Sequence, residues 1–558
     1  MSSATRVNMA GAQAAIRSPE VVHQSEAPTM GLSDRQVELD HLWRFYRCAV
    51  YDGRKVDWNG KEVLGKIEHE IVATSGFMPP GFYDAGQTLP LKFRKPTAPF
   101  ALARVIVSRF TSLLFSSKRH PKIGCSDPAV EDWLGAFAET TRLWSQMLKA
   151  RTYGGAMGSV GLGFKIVAGK PTVEVHDPRW CTPEFSDREE LTVSKLEKRY
   201  QFNEDERDDE GRWQKVWYWY RRVIDETSDS IWPKVKAEIG IEPIWEREAH
   251  NQVDHRYGFC PIVWVQNLPV DDDVDGDPDC HGVYDLIQAI DILLAQAHRG
   301  TVSNCDPTLA ISSDAEWSNG AQKGSGNALV LEKGGSVNYL EITGSGPKAA
   351  MELAEKLEEK ALVVARCYLD INQGGPSRTV NEVERNYSSM IEQADVHREQ
   401  YGERGVKRLL EMVLRAARTL GKTRTEIDAA GTRRIVREVI KLPAKREMDA
   451  KTGKLVITER SLSTYDDEDV LELAWPGYFT PTADDAGKAV VAARDARDAS
   501  LIDDEHAARY VSEFFGVEDV RDMLEKVEAK KAADQAAFMA GMGGGGVPGQ
   551  SGEPPEEE

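Results

Sequence analysis

The chain has 558 residues, 41% of them hydrophobic and 29% charged, and a formal net charge of −20. These are globular values, with material for roughly three or four domains and large buried cores. The acidic balance, with a pI of about 5.2, argues against a tight, salt-sensitive grip on nucleic acid, which needs many lysines and arginines against phosphates.

Seven cysteines (Cys48, Cys125, Cys181, Cys260, Cys280, Cys305 and Cys367) form no CxxC pair. An odd, scattered set reads as free thiols of a cytosolic product, neither a disulfide framework nor a zinc site. Residues 1–30 lack an apolar core, so no signal peptide is expected. The most apolar stretch, 99–115, is too short for a membrane span and carries Arg104 and Arg109. It reads as an amphipathic helix packed on a core.

In chain order, residues 1–37 are expected to form a disordered arm. A helix is expected over 39–52, with Leu42, Phe45, Tyr46 and Val50 inward, then helices over 100–116 and 129–150. From Gly158 the period changes to two. Residues 160–178 read as a β-hairpin turning at Gly169 and Lys170. Strands rich in Trp and Tyr follow at 192–202, 213–225 and 241–248. The alternation of Trp217, Trp219 and Arg221 with Val216, Tyr218 and Tyr220 suits a sheet with one covered face. An acidic connection at 270–278 leads to a helix over 283–298, with Val283, Leu286, Ile287, Ile290 and Leu294 at helical spacing. Residues 306–343 hold short strand-like pieces between Gly-rich turns. A charged helix follows over 347–369, with Leu353, Leu357, Ala361, Val364 and Tyr368 on one face. Read alone, this would be an ordinary surface helix; with a matching helix across a small β unit it points to a projecting hairpin. Residues 372–378, with Gly374, Gly375 and Pro376, interrupt the helix, and Thr379 with Glu382 forms a capping-box pattern that restarts it. The long helix over 381–420 carries Gly402 and Gly405, which permit either a kink or a break into two. Strands are expected within 430–475 and helices within 483–534, before a Gly/Pro/Glu-rich tail.

The motifs with possible chemistry are weak. Asp271, Asp273, Asp275 and Gly276 match the front half of an EF-hand loop, but Gly282 stands where a bidentate Glu is needed and Pro278 intrudes. An acidic loop with incidental divalent-cation affinity remains open. The glycines of 154–163 lack the GxxxxGK[ST] pattern and read as a turn leading into a strand. His250, Asp254 and His255 lack a third histidine or a cysteine and read as a solvated loop. No GxSxG or HExxH signature is present. No catalytic residue, metal or cofactor is expected, and the chain is read as no enzyme.

The segment HGVYDLIQAIDILLAQAHRGTVSNCDPTLAIS resembles the first stem helix and clip of the portal proteins of tailed bacteriophages. KAAMELAEKLEEKALVVARCYLDINQGGPSRTVNEVERNYSSMIEQADVHREQYGERGVKRLLEMVL is similar to that family's second stem helix, tunnel loop and channel helix. LELAWPGYFTPTADDAGKAVVAARDARDASLIDDEHAARYVSEF is similar to its crown. The resemblance spans roughly 38–535 and lies in element order and loose motifs. It implies an α+β, multidomain ring subunit. Its parts would be a wing (38–280), first stem helix (281–305), clip (306–346), second stem helix (347–370), tunnel loop (371–380), channel helix (381–420), and C-terminal wing strands and crown (421–535), then a disordered tail (536–558). It also implies a dodecameric homo-oligomer at one capsid vertex of a virion, made in the bacterial cytoplasm. Its partners would be double-stranded DNA held non-specifically, the terminase large subunit that brings the ATPase, major capsid and scaffolding proteins, and a head-completion adaptor with the tail; no membrane is involved. An acidic wall would suit a conduit that must not grip its cargo, although for most of the acidic residues the charge reads simply as favouring solubility. Gln373, Ser377, Arg378 and Thr379 would face DNA, although 372–378 also reads as a plain helix–helix turn. Asp314, Glu316, Trp317 and Lys323 would meet terminase or adaptor, with Trp317 as an apolar anchor. The alternatives are another virion structural protein, such as a minor head protein, and a metal-dependent nucleic-acid enzyme using the loop at 271–279.

Overall fold

A computed structural model describes residues 33–49, 99–116, 119–167, 169–207, 211–237, 243–246, 249, 251–270, 273–305, 308–312, 336–340, 345–368, 387–421, 424–427, 433–436, 440, 442, 445–448, 455–458, 470–478, 483–499, 502–515, 526–527 and 529–530. The fold is α+β. The chain divides into one unit of residues 1–369 with 389–476, and a second of 370–388 with 477–558.

Helix α1 (Asp34–Tyr46) starts earlier than the apolar spacing suggests because Ser33 and Gln36 cap it reciprocally. The Gln36 N–H donates to Ser33 Oγ at 3.3 Å, and the Ser33 N–H donates to Gln36 Oε1 at 3.0 Å. Helix α2 (Leu102–Phe115) is the expected amphipathic element, with Leu102, Ile106, Phe110 and Leu114 fully buried. The helix expected over 129–150 is instead two helices. α3 (Pro128–Thr141) and α4 (Leu143–Met157) meet at Arg142, which adopts a left-handed φ of 53° that no continuous helix tolerates. Gly158, at φ 95°, ends α4. The glycines of 154–163 are therefore a helix end, its cap and the start of a strand, and the turn expected to lead into the strand is at Gly158.

Strands β1 (Lys122–Cys125), β2 (Ser159–Val167) and β3 (Lys170–His176) follow, and β2 pairs with β3 about Gly169 as the sequence predicts. β4 (Cys181–Asp187), β5 (Thr192–Arg207), β6 (Trp213–Asp225), β7 (Ser228–Ile231), β8 (Val235–Lys236), β9 (Asn251–Asp254) and β10 (Ile262–Gln266) complete an antiparallel sheet. Its order is β3-β2-β10-β5-β6-β7-β9, with β4 beside β5 and β8 beside β6. Residues 243–246, expected as strand, are not in one. The expectation of one covered face also fails over the centre of β6, where Trp219, Tyr220, Arg222, Val223 and Ile224 are all buried. The reason is curl. In sheet order β2, β10 and β5 separate β3 from β6, yet Arg222 on β6 donates to Glu174 on β3 at 3.0 Å and to Asp229 on β7 at 2.7 Å. The sheet wraps around its own polar and aromatic interior, so both faces of β6 are covered.

Helix α5 (Tyr284–Cys305) leads to β11 (Thr308–Ser312), which pairs antiparallel with β12 (Ser336–Leu340), and helix α6 (Ser345–Val364) returns. The two helices pack together. Gly300, late in α5, lies against Pro347, early in α6: a Cβ on Gly300 would stand 2.8 Å from Pro347 Cγ. This end-to-start contact makes the pair antiparallel. Each helix is about 30 Å long at 1.5 Å per residue. At the other end, Val283 and Cys280 are buried, and Cys280 Sγ contacts the Ala103 carbonyl on α2 at 3.8 Å.

Helix α7 (Ser388–Arg398), a π-helix (Glu399–Lys407) and α8 (Arg408–Gly421) form one continuous run. Of the two forms open at Gly402 and Gly405, the structure takes neither a sharp kink nor a break; the helix widens. Two hairpins follow, β13 (Arg424–Ile427) with β14 (Arg433–Val436), and β15 (Lys445–Met448) with β16 (Leu455–Thr458). β17 (Leu471–Ala474) pairs with β1, so this part of the C-terminal region returns to the first unit. In the second unit, α9 (Ala483–Asp498) packs on α10 (Asp504–Phe515).

Candidate functional site: a buried polar joint at the base of a helical hairpin

Four elements converge on one buried network. α4 supplies Arg151, the end of β10 supplies Asn267, the segment before α5 supplies Asp279, and the run of α7 with its π-helix supplies His397 and Tyr401. Arg151, Asp279 and His397 have no side-chain exposure. Arg151 Nη2 donates to both Asp279 carboxylate oxygens at 3.0 Å. Asn267 Nδ2 donates to Asp279 Oδ1 at 2.9 Å and to the Asp277 carbonyl at 3.0 Å. Tyr401 Oη donates to Asn267 Oδ1 at 2.9 Å, and its ring lies 5.2 Å from the Arg151 guanidinium. The Asp279 N–H donates to the Gly155 carbonyl at 2.9 Å.

Burial pushes the Asp279 carboxyl up, while Arg151 and Asn267 pull it back down. Burial also pushes His397 well below its ordinary value, and the Arg151 charge adds to this. The imidazole is therefore neutral, and its 3.4 Å approach to Asp279 Oδ1 is not an ion pair. A fully buried ion pair contributes little net stability against an apolar filling but penalises every arrangement that separates its members. The network is a joint. It fixes the base of α5 against the sheet and the π-helix. No member reaches water.

Glycines make the close approaches possible. A Cβ on Gly154 would lie 1.8 Å from Tyr401 Oη, and one on Gly402 would lie 2.8 Å from Trp475 Cζ2. Trp475 in turn lies under the Arg398 guanidinium at 5.1 Å, and Arg398 Nη2 donates to the Pro476 carbonyl at 2.7 Å. The widened helix thus receives side chains where an ordinary helix would present its own; π segments are frequent at functional positions.

Among the described residues of the acidic loop, Asp273, Asp275 and Asp277 have protein partners. Asp275 receives Arg35 in a two-point contact, Nε at 2.5 Å and Nη2 at 2.8 Å, and also accepts from Ser159. Asp273 accepts the Val274 N–H at 2.7 Å, and Asp277 lies 3.2 Å from His281 Nδ1. Arg35 and a second pair, Asp40–Arg179 at 3.0 Å, fasten α1 to this region. His255, expected in a solvated loop, is half-buried: Nε2 lies 2.8 Å from the Asp225 carbonyl, and the ring stacks on Tyr257. An open pocket of about 490 Å³ on α2 is lined by Arg104, Val105, Ser108 and Arg109, with no carboxylate, thiol or imidazole among them.

The residues singled out from sequence, Gln373, Ser377, Arg378 and Thr379 in the interrupting loop and Asp314, Glu316, Trp317 and Lys323 in the β unit, lie outside the described residues. The joint residues were missed. Its sequence signals are faint: Asn267 and Asp279 flank the acidic loop, and His397 and Tyr401 are one turn apart.

No family model matches the chain, and no curated protein matches it. Among solved structures, it is similar to a chain of the virion of a native gene transfer agent particle, with 11% identity over 57% of this chain and 74% of that one. The TM-score is 0.25, too low for the likeness to bear on fold or function.

Proposed function

We propose that this chain is a structural subunit of a phage or phage-like virion, and specifically the portal protein that forms a ring-shaped DNA channel at one capsid vertex. The observation that carries the reading is the α5–β11–β12–α6 hairpin followed by the long, π-widened helix, set on a curled-sheet body. An antiparallel pair of 22- and 20-residue helices closed by a two-stranded unit is a poor enzyme layout and a good wall element. The α6 surface supports it. Met351, Leu353, Val363 and Val364 are 49%, 48%, 64% and 56% exposed in the single chain, apolar surface on more than one side of α6 that neighbouring subunits would cover.

In this reading the hairpins pack side by side as the channel wall. The loop with Gln373, Ser377, Arg378 and Thr379 contacts the duplex weakly and non-specifically. With one cation per copy, retention comes from repetition round the ring. Asp314, Glu316, Trp317 and Lys323 receive the terminase large subunit during packaging and the adaptor and tail afterwards. Capsid and scaffolding proteins surround the ring. The mechanism is geometric, and the motor's ATPase belongs to the partner. Mass by light scattering of the purified chain tests the reading: a closed oligomer of about a dozen copies supports it, and a persistent monomer removes it.

A further inference from the structure

Helix α6 has two chemically opposite flanks. Its buried seam is narrow and made of small residues: Ala354 and Ala361, with Ala365 just beyond the helix end. At 3.6 residues per turn, residues four apart lie on one flank. On one side of the seam run Met351, Glu355 and Glu359, each one turn after the last, with the half-buried Glu358 beside them. On the other side run Lys356 and Lys360, also one turn apart, with Leu353 and Val364 on the same flank. Glu355, Glu359, Lys356 and Lys360 are all exposed, and among the described residues none forms an ion pair. Two like charges one turn apart oppose the helix on each flank, and Glu352, one turn before Lys356, offsets part of this. On the acidic flank burial raises the pKa of Glu358, and Glu355 and Glu359 raise it further.

We propose that α6 is a two-sided docking helix whose partner is a second copy of this chain, the Glu355/Glu359 flank of one copy packing against the Lys356/Lys360 flank of the next. Met351 on the first flank and Leu353 with Val364 on the second shield the charges from water. The contact is head-to-tail: each copy presents one flank to each neighbour, the kind of interface that closes into rings. Charge complementarity selects the second copy over other occupants. The proposal rests on the ring reading and adds which side chains make the joint and in which sense it runs.

The experiment compares full-length chains by electron microscopy and light scattering at about 0.1 M salt, where exposed charges still act. The chains are the wild type, E355K/E359K and K356E/K360E, with circular dichroism as the folding check. Wild-type rings are expected. The first variant sets positive against positive and the second negative against negative, so the ring fraction of each alone falls at least about tenfold. An equimolar mixture of the two restores rings, because alternating copies are complementary on both sides. Raising the salt to about 1 M shrinks the defect of each variant. Wild-type rings together with variants that close equally well alone, or a mixture no better than its components, would overturn the proposal. A wild type that forms no ring would instead remove the ring reading beneath it.

Discussion

Arg151 and Asp279 face each other with no exposed surface on either side chain, the Arg151 Nη2 lying 3.0 Å from both carboxylate oxygens. The pair joins α4 to the base of α5, the first helix of the hairpin. Removing one partner leaves a buried charge uncompensated, which costs about 3–5 kcal/mol. Asp279→Ala should therefore lower the midpoint of the first urea transition strongly. Replacing both with apolar residues, as in R151M/D279L, should recover much of the loss. A double variant worse than the single one would mean that the pair itself stabilises the joint.

Gly154 stands against Tyr401. In an exposed helix Gly→Ala would gain about 1 kcal/mol, but here the new Cβ would lie 1.8 Å from Tyr401 Oη and 3.0 Å from Cζ. Overpacking of this kind costs roughly 1–3 kcal/mol, so G154A should destabilise. Y401F removes the clashing oxygen and loses one hydrogen bond to Asn267, worth about 1 kcal/mol. The G154A/Y401F chain should be more stable than the two single losses predict. Simple additivity in urea unfolding would contradict the packing described.

These relationships show what the sequence could and could not reveal. The helical spacing of Val283, Ile287 and Ile290, the Gly169 turn and the apolar face of α2 were readable because local periodicity and turn chemistry dictate them. The curl of the sheet was not: the alternation in β6 describes one strand, and only the Arg222–Glu174 bridge across three intervening strands reveals that both faces are covered. The helical spacing predicts one face of α6 from Leu353, Leu357, Ala361, Val364 and Tyr368. Ala361 is buried, but Leu353, Val364 and Tyr368 remain exposed, because α5 packs on the alanine seam. Arg142 gave no sequence signal, since its left-handed geometry is imposed by the packing of α3 and α4. The joint joins residues up to 250 positions apart, from Arg151 to Tyr401, and no local pattern announces it.

Stability should fall with acid through His176. Burial depresses its pKa to about 3; Lys198 and Arg222 add to this while Glu174 opposes. The unfolded chain has an ordinary histidine near 6.5. Between these values the unfolded state binds a proton that the folded state refuses, so stability is full above about 6.5 and falls as the pH drops towards about 3. The slope is about 1.4 kcal/mol per pH unit for one proton. His397, also buried and neutral, acts in the same direction. H176Q should make the pH dependence of the urea midpoint shallower between pH 6.5 and 5, above the range where Glu174 titrates. Equal slopes would place His176 outside the buried cluster.

On the proposed portal function, Trp317 is the apolar anchor for terminase or adaptor. W317A should weaken docking of the terminase large subunit at least about tenfold, or 1.4 kcal/mol, while the chain still closes into rings. Unchanged docking would remove Trp317 from that surface.

The central claim is that this chain builds a ring with a channel. Negative-stain electron microscopy of the purified full-length protein, with particle mass from light scattering, tests it most directly. The account predicts rings with a central hole and a mass of about a dozen subunits. A monodisperse monomer or dimer that persists at high concentration would contradict it.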